Sequence, residues 1–279
     1  MRSLIDSHFH IFRRTHTQQA GILASPYLQR DFLWDDYLEA SSGVDVQASV
    51  MVQVNDFTDP LPEARWVSEV AVANSGPTAI VAYAQLEAPV AAEHIAAVRA
   101  LPLVRGVRRN TQHEIDPGFC GRSDFIAGAR LLGECALACD ICAKAHQLES
   151  VIGLADACPD TTIVLNHFGK PDVTADLSAW RGAMRRLGTY ENVICKISPV
   201  IHTVHDPKLT NDIAARLLGT AIEAFGWDRV IFGSNWPVAP AVIGYLDWVD
   251  MLERLLAGER AENLQKLFVE NARRVYRLS

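Results

Sequence analysis

Eight short runs rich in valine and isoleucine alternate with helical patterns along the chain, and this alternation constrains the fold more than any other feature. Each run has the length and the flanking turn residues of a β-strand. The runs cover residues 4–10, 49–54, 79–86, 104–109, 136–143, 161–167, 193–198 and 230–234. The helical patterns cover residues 34–41, 63–74, 91–100, 125–132, 147–157, 176–187 and 212–225, with two more at 243–257 and 261–276. Strands that alternate with helices predict a parallel sheet, and eight strands are the number that closes a (β/α)8 barrel.

The length of the chain suits one such barrel. It has 279 residues, and a barrel of this kind typically has ~250. No low-complexity linker or sharp change of composition divides it. We therefore expect a single α/β barrel domain over residues 1–279. An open, doubly wound parallel sheet is the alternative that the same alternation allows.

Composition and charge exclude several classes of function. Hydrophobic residues make up 49% of the chain, enough for a sizeable core, and a net charge of -7 argues against nucleic acid as a partner. No apolar run approaches the ~20 residues of a membrane span, and the first residues lack a signal-peptide core. Cys139 and Cys142 lie in an apolar stretch typical of a buried strand, where free cysteine packs as a small hydrophobe. We expect a cytoplasmic protein without a membrane partner.

Two histidines mark the end of the first predicted strand. His8 and His10 are two residues apart, so their side chains point to the same face of the strand. A neutral imidazole is a ligand and an acceptor, and a charged one is a donor. The pair therefore suits a metal ion, a carbonyl oxygen or an anion. Two histidines on the solvent face of an edge strand are the alternative.

Polar residues also end most of the other predicted strands. In a barrel, the C-terminal ends of the strands meet at the mouth that carries the active site. A single polar residue at a strand end is common, but seven of the eight predicted strands end in groups able to bind an oxygen-rich ligand. Beside His8 and His10, these groups are Gln53, Gln85, Arg108, Arg109, Asn110, His167, Lys196, Ser198, Asn235 and Trp236.

Seven segments, which occur in order and span nearly the whole chain, carry a family resemblance. They are DSHFHIF at 6–12, VQ at 52–53, RGVR at 105–108, HQL at 146–148, VLNHFGKP at 164–171, CKIS at 195–198 and FGSNWP at 232–237. With these segments the chain resembles the metal-independent, lactonase-like branch of the amidohydrolase superfamily, which includes 2-pyrone-4,6-dicarboxylate lactonase and sugar-acid lactonases. The resemblance implies a barrel enzyme that opens the ring ester of a small carboxylated or polyhydroxylated lactone by attack of water.

The resemblance also implies roles for individual residues. Hydrolysis of a lactone needs a base for water, donors for the carbonyl and cations for the acid group. The family pattern implies that His8, His10 and His167 surround the carbonyl and that Arg108 grips a carboxylate. An ion pair of Arg108 within the barrel is the alternative. A buried lysine needs an acid partner, which makes Lys196 a candidate for binding a ligand carboxylate. Gln53, Arg109 and Trp236 complete the expected substrate-binding set.

Position 235 departs from the family pattern, which has an aspartate there as general base. Asn235 has no lone pair basic enough to accept a proton at neutral pH, and its amide donates where a carboxylate only accepts. The change is almost isosteric, and we therefore favour an engineered variant that traps ligand, in which Asn235→Asp restores turnover. A natural enzyme that uses another base is the second interpretation. The rival functions are a lactone isomerase or decarboxylase and a catalytically inactive ligand-binding homologue.

A metal is the remaining question. The wider superfamily binds one or two divalent ions, and here His8, His10 and His167 could bind zinc through neutral nitrogens. The chain lacks a bridging lysine or glutamate on the fourth strand, and Asn235 removes an anionic ligand. We therefore expect that no cofactor is required, with zinc on the three histidines as the alternative.

Overall fold

Eight parallel strands form one sheet in the order in which they follow each other along the chain. The computed structural model describes residues 3–17, 22, 24–54, 59–200, 207–239 and 243–279. The strands are β1 (Ser3–Phe9), β2 (Asp45–Val52), β3 (Ala79–Tyr83), β4 (Val104–Asn110), β5 (Ala138–Cys142), β6 (Ile163–Leu165), β7 (Val193–Ile197) and β8 (Val230–Phe232). This order confirms the predicted (β/α)8 barrel over the open, doubly wound sheet.

Helices follow the strands and cover the outside of the sheet. They are α1 (Trp34–Ala40), α2 (Leu61–Asn74), α3 (Ala91–Arg99), α4 (Ser123–Glu134), α5 (Leu148–Ala157), α6 (Ser178–Leu187), α7 (Pro207–Phe225), α8 (Tyr245–Leu255), α9 (Ala261–Gln265) and α10 (Asn271–Val275). A π-helical turn, Lys266–Glu270, joins the last two. None of the described helices is long and apolar enough to cross a membrane.

The helices pack through apolar stripes of helical spacing. In α6 the buried residues are Trp180, Ala183, Met184 and Leu187, which lie on one face, and the neighbouring arginines stay outside the core. The strands are buried on both faces, as parallel strands under helices must be. The polar residues at the strand ends therefore follow directly on buried, well-packed strands.

The barrel closes between β1 and the turn after β8. The His10 N–H donates to the Trp236 carbonyl at 2.7 Å, and the Asn235 N–H donates to the His8 carbonyl at 2.7 Å. Phe9 and Trp236 form a parallel bridge at the same place. The two ends of the sequence pattern, the histidine pair and Asn235, are thus joined by backbone hydrogen bonds.

The main correction to the predicted elements concerns the sixth strand. The sequence pattern predicts a strand through His167, whereas β6 ends at Leu165. His167 and Phe168 have φ values of 53° and 54°, in the left-handed region that breaks a strand. The six cysteines are all free, and Cys139 and Cys142 are buried in β5 as expected.

Candidate active site

A cavity of about 270 Å³ lies at the C-terminal mouth of the barrel. Its described lining residues come from the ends of several strands and from the loops that follow them. They are His10, Ile22, Leu28, Val54, Arg108, Asn110, Gln112, His113, Cys142, His167, Lys170, Asn235 and Val238. This set contains two cationic side chains, Arg108 and Lys170, and its described members include no aspartate or glutamate. The cavity therefore suits a small anionic ligand.

Of His8, on β1, and His10, directly after it, only His10 lines the described cavity. Its Nδ1 lies 2.6 Å from the Val52 carbonyl oxygen, and its Nε2 lies 3.2 Å from Nε2 of His8. His8 has no exposed surface and stands behind His10. The rings of His8 and His167 are also close, with 4.5 Å between their centroids. The structure thus brings the three predicted histidines together, with His8 in the inner position.

Burial keeps both His8 and His10 uncharged. Loss of solvent, followed by the positive charge of Arg108, lowers the pKa of His10 from 6.5 to about 3. Loss of solvent, followed by the electrostatic effects of His167 and Lys196, lowers the pKa of His8 well below 6.5. The positively charged side chains of the described cavity wall are therefore Arg108 and Lys170, and not His8 or His10.

Arg108 and Lys170 are the two cations of the cavity wall. Arg108, on β4, is buried and donates from Nη2 to the Gln53 carbonyl oxygen. It forms no ion pair with any residue that the structure describes, which disfavours the alternative of an ion pair within the barrel. Lys170 follows His167 in the turn after β6 and donates from Nζ to Oε1 of Gln112. Both side chains thus keep positive charge for a ligand carboxylate.

A left-handed turn aims His167 into the cavity. Lys170 shares its conformation, with a φ of 41°, and the Trp180 Nε1–H donates to the Phe168 carbonyl at 2.8 Å. Nδ1 of His167 lies 2.7 Å from Oγ of Ser198, which comes directly after β7. The ring is thus oriented at one nitrogen by a neighbouring hydroxyl, an arrangement that suits proton transfer.

Asn235 enters the cavity from the turn after β8. Its φ is 53°, and its carbonyl accepts from the Ala239 N–H at 2.9 Å. Its side chain lines the cavity and is hydrogen-bonded to His10. The preceding residue, Ser234, donates from N and Oγ to the Asp6 carboxylate at 2.9 and 2.7 Å. Asp6 also accepts from the His8 N–H at 3.1 Å, so one buried carboxylate ties β1 to this turn.

Lys196 lies below the cavity, in what we call the buried polar layer: Asp6, His8, Asp140, Lys196 and Tyr276. Lys196 has no exposed surface, and Nζ lies 2.7 Å from Oδ2 of Asp140 and 2.9 Å from the Tyr276 hydroxyl. It also donates to the Ser7 carbonyl at 3.0 Å and lies 3.4 Å from Nδ1 of His8. We expected a ligand carboxylate as the acid partner of Lys196. The structure corrects this expectation, because Asp140 is the acid partner and lies within the protein.

The other three expected substrate-binding residues also have partners inside the protein. Arg109 forms ion pairs with Glu87 and Glu114 at 2.7 and 2.6 Å, because side chains alternate along β4 and Arg109 points away from Arg108. Oε1 of Gln53 accepts from the Tyr83 N–H at 2.9 Å. Trp236 packs edge-on against Phe32 and Tyr37. None of these three side chains belongs to the described lining of the cavity.

Sequence reasoning missed three residues of this region. Lys170 lies in a segment that carries the family resemblance, directly after Gly169, and its nearness to His167 was the available signal. Gln112 lies in the loop after β4, where nothing in the sequence distinguishes it. Asp140 lies between Cys139 and Ile141 in a buried strand, and a lone acid in such a strand is itself a signal of a buried partner.

Comparison with known proteins agrees with this architecture. The family model described as Amidohydrolase matches residues 5–278. The chain belongs to the amidohydrolase family. An L-fucono-1,5-lactonase of Burkholderia multivorans (strain ATCC 17616 / 249) is 32% identical to this amidohydrolase over 276 residues, which cover 92% of this chain and 91% of the relative. A 2-pyrone-4,6-dicarboxylate hydrolase of Comamonas testosteroni is 29% identical over 188 residues, 62% of this chain and 59% of the relative.

A solved structure from the same family has a very similar fold. The crystal structure of an amidohydrolase from Burkholderia multivorans with bound zinc superposes with a TM-score of 0.89 and is 28% identical, and the match covers 99% of both chains. Together with the lactonase relatives, it confirms the predicted resemblance to the lactonase-like branch of the superfamily.

The donor set of this amidohydrolase fits a tightly held zinc ion poorly. A catalytic zinc site uses three protein ligands, with an anion among them in many enzymes. Among the residues that the structure describes, no three histidine, cysteine, aspartate or glutamate side chains are grouped closely enough to hold a metal ion. His8 and His10 are close to each other, but the ammonium of Lys196 stands behind His8 and Asn235 is uncharged. We therefore derive no step through a metal.

Proposed function

We propose that this amidohydrolase hydrolyses the ring ester of a small lactone that carries a carboxylate or several hydroxyl groups. One observation carries the proposal. Two cations, Arg108 and Lys170, line the same cavity as His10, His167 and Asn235, without a described carboxylate among them. The L-fucono-1,5-lactonase and 2-pyrone-4,6-dicarboxylate hydrolase relatives support a lactone as substrate.

In this proposal Arg108 and Lys170 bind the acid or hydroxyl groups of the substrate. A guanidinium offers a planar fork of donors that matches a carboxylate, and a lysine offers a point charge. The Gln53 carbonyl holds one side of the Arg108 guanidinium, and Gln112 holds the Lys170 ammonium. Both groups are thereby oriented before the ligand arrives, which lowers the entropic cost of binding.

His167 acts as the general base in this proposal. It lines the cavity, and Ser198 orients its ring from Nδ1. His10 suits the role less well, since Val52 and His8 occupy its two nitrogens. His167 takes a proton from water, the resulting hydroxide adds to the lactone carbonyl, and the proton is returned to the ring oxygen as the ester bond breaks.

Asn235 acts as a donor to the carbonyl oxygen. An amide N–H stabilises the negative charge that develops on this oxygen, whereas an aspartate at position 235 would repel it. This role fits a natural enzyme that uses a base other than residue 235. It makes the interpretation as an engineered, inactivated variant unnecessary.

The test is turnover of a lactone panel by the wild-type chain in ¹⁸O-labelled water. The panel contains sugar-acid 1,4- and 1,5-lactones and carboxylated pyrones. Hydrolysis places one solvent oxygen in the product acid. Turnover without ¹⁸O in the product would indicate an isomerase or a decarboxylase. Binding without turnover would indicate a catalytically inactive homologue, and either result would overturn the proposal.

A further inference from the structure

The buried polar layer lies directly behind the histidine pair, His8 and His10, with Nζ of Lys196 3.4 Å from Nδ1 of His8. We propose that Lys196 is a positioning residue that fixes His8 in the tautomer with its proton on Nε2, which turns the histidine pair from a metal clamp into a hydrogen-bonded unit. The proposal concerns the state of His8 and is independent of the substrate.

The Val52 carbonyl fixes the tautomer of His10. A backbone carbonyl can only accept a hydrogen bond, so His10 carries its proton on Nδ1 and donates it to the Val52 carbonyl at 2.6 Å. Nε2 of His10 is then a lone-pair nitrogen. It lies 3.2 Å from Nε2 of His8, and a hydrogen bond between these two nitrogens needs a proton on one of them. In this contact His8 is therefore the donor, from its own Nε2, while the Asn235 side chain is a further hydrogen-bond partner of His10.

The opposite nitrogen of His8 meets Lys196. With its proton on Nε2, neutral His8 presents a lone pair at Nδ1, and Nζ of Lys196 lies 3.4 Å away. An ammonium only donates, so this contact is favourable for that tautomer and unfavourable for the Nδ1–H tautomer. The Val52 carbonyl, beside His10, and the Lys196 ammonium, beside His8, thus favour the same positions for the two imidazole protons.

Asp140 and Tyr276 hold Lys196 in this place. Oδ2 of Asp140 lies 2.7 Å from Nζ, and the Tyr276 hydroxyl donates to Asp140 while it accepts from the lysine. Asn166 Nδ2 donates to the same carboxylate at 2.8 Å. Lys196 and Asp140 are both without exposed surface, so protein groups hold the ammonium in place.

The consequence concerns metal binding. A zinc ion would need the lone pairs of both Nε2 atoms, but in the tautomer that Lys196 selects His8 Nε2 carries a proton. Zinc binding would therefore require the His8 proton to move from Nε2 to Nδ1, where it would face the Lys196 ammonium. The same cation also opposes a dication by charge. Lys196 accordingly disfavours zinc at the histidine pair.

The first experiment reads the tautomer in the intact wild-type chain. Long-range ¹H–¹⁵N spectra of the histidine side chains distinguish the two tautomers, and a His8→Gln variant assigns the signals. We expect His8 as the Nε2–H form and His10 as the Nδ1–H form at pH 7.5. His8 found as the Nδ1–H form would overturn the proposal.

The second experiment removes the cation without leaving a buried charge. Lys196→Met combined with Asp140→Asn is titrated with zinc chloride by calorimetry, with circular dichroism to verify the fold. We expect zinc affinity to rise about 10- to 100-fold over wild type, the range typical of groups that orient metal ligands. The gain should disappear when His10→Gln is added. Lys170→Met, which removes a cavity cation that does not contact His8, is the matched control and should change zinc affinity much less.

Two results would contradict the proposal. One is an unchanged zinc affinity in the folded double variant. The other is tight, stoichiometric zinc binding by His8 and His10 of the wild-type chain. If the double variant does not fold, the wild-type spectra decide alone, because they need no substitution.

Discussion

The cavity and the buried polar layer beneath it use the same residue types for opposite purposes. Lys170 lines the cavity and has only the neutral Gln112 as a described side-chain partner. Lys196 is fully buried, with Asp140, Tyr276 and Ser7 around its ammonium. His10 and His8 differ in the same way, since only the former reaches the cavity wall. Burial and pairing, rather than residue type, therefore distinguish the side chains that can contact a ligand from the side chains that hold them in position.

The largest expected effect comes from the base in the cavity. His167→Gln should lower kcat for the lactone by ~10²–10⁴, because no general base remains for water. Steady-state kinetics measure the change. Ser198→Ala is the matched control and should cost less, since it removes the group that orients the ring and leaves the ring itself. If kcat of the His167 variant stays near wild type, the base is elsewhere.

Substitutions in the buried polar layer should lower the stability of the fold. Lys196→Met alone leaves the Asp140 carboxylate buried and uncompensated, and we expect the free energy of unfolding to fall by about 3–5 kcal/mol. Adding Asp140→Asn should recover most of this loss. Urea denaturation checks both variants. A double variant as unstable as the single one would mean that the layer is more than an ion pair.

A third prediction compares Arg108, which lines the cavity, with its neighbour Arg109, which does not belong to the described lining. Arg108→Met should raise KM for a carboxylated lactone about 10- to 100-fold, because a charge-assisted hydrogen bond to the substrate is lost. A neutral lactone of the same ring size should be affected less. Arg109→Met is the control, as its side chain pairs with Glu87 and Glu114 and does not line the described cavity. Equal effects of the two variants on KM would contradict the assignment.

The smallest effect is a pH dependence of stability. The native pKa of His10 is about 3 and the unfolded value is 6.5, so below 6.5 the unfolded chain binds a proton that the folded chain does not. Stability is therefore full above pH 6.5 and falls as the pH drops toward 3, by up to ~1.4 kcal/mol per pH unit for this group. Urea denaturation between pH 7 and 5 should show a shallower slope for His10→Gln. Identical slopes would mean that His10 is not buried as a neutral ring.

The sequence predicted the fold well because its signals are local. Strand periodicity and the 3.6-residue stripes of α6 and α8 depend on neighbours in the chain, and all eight strands lie where the pattern indicates. The predicted histidines, Arg108 and Asn235 converge because parallel strands end at one mouth.

The roles of Lys196 and Arg109 could not be predicted in the same way. Asp140 lies 56 residues from Lys196 in sequence, and Tyr276 lies 80 residues from it, so no local pattern joins them. Arg109 is distinguished from Arg108 only by the alternation of side chains along β4. The sixth strand was predicted too long because His167 itself adopts the left-handed conformation, and no glycine at that position indicates the end of the strand.

The decisive measurement is turnover of the same lactone by wild type and by Asn235→Asp. We expect wild type to be the better catalyst and the aspartate variant to lose about 10²-fold in kcat, since a donor to the oxyanion is replaced by a negative charge. An aspartate variant that turns over the lactone faster than wild type would contradict the account. It would identify position 235 as the site of the base and the chain with Asn235 as an inactivated form.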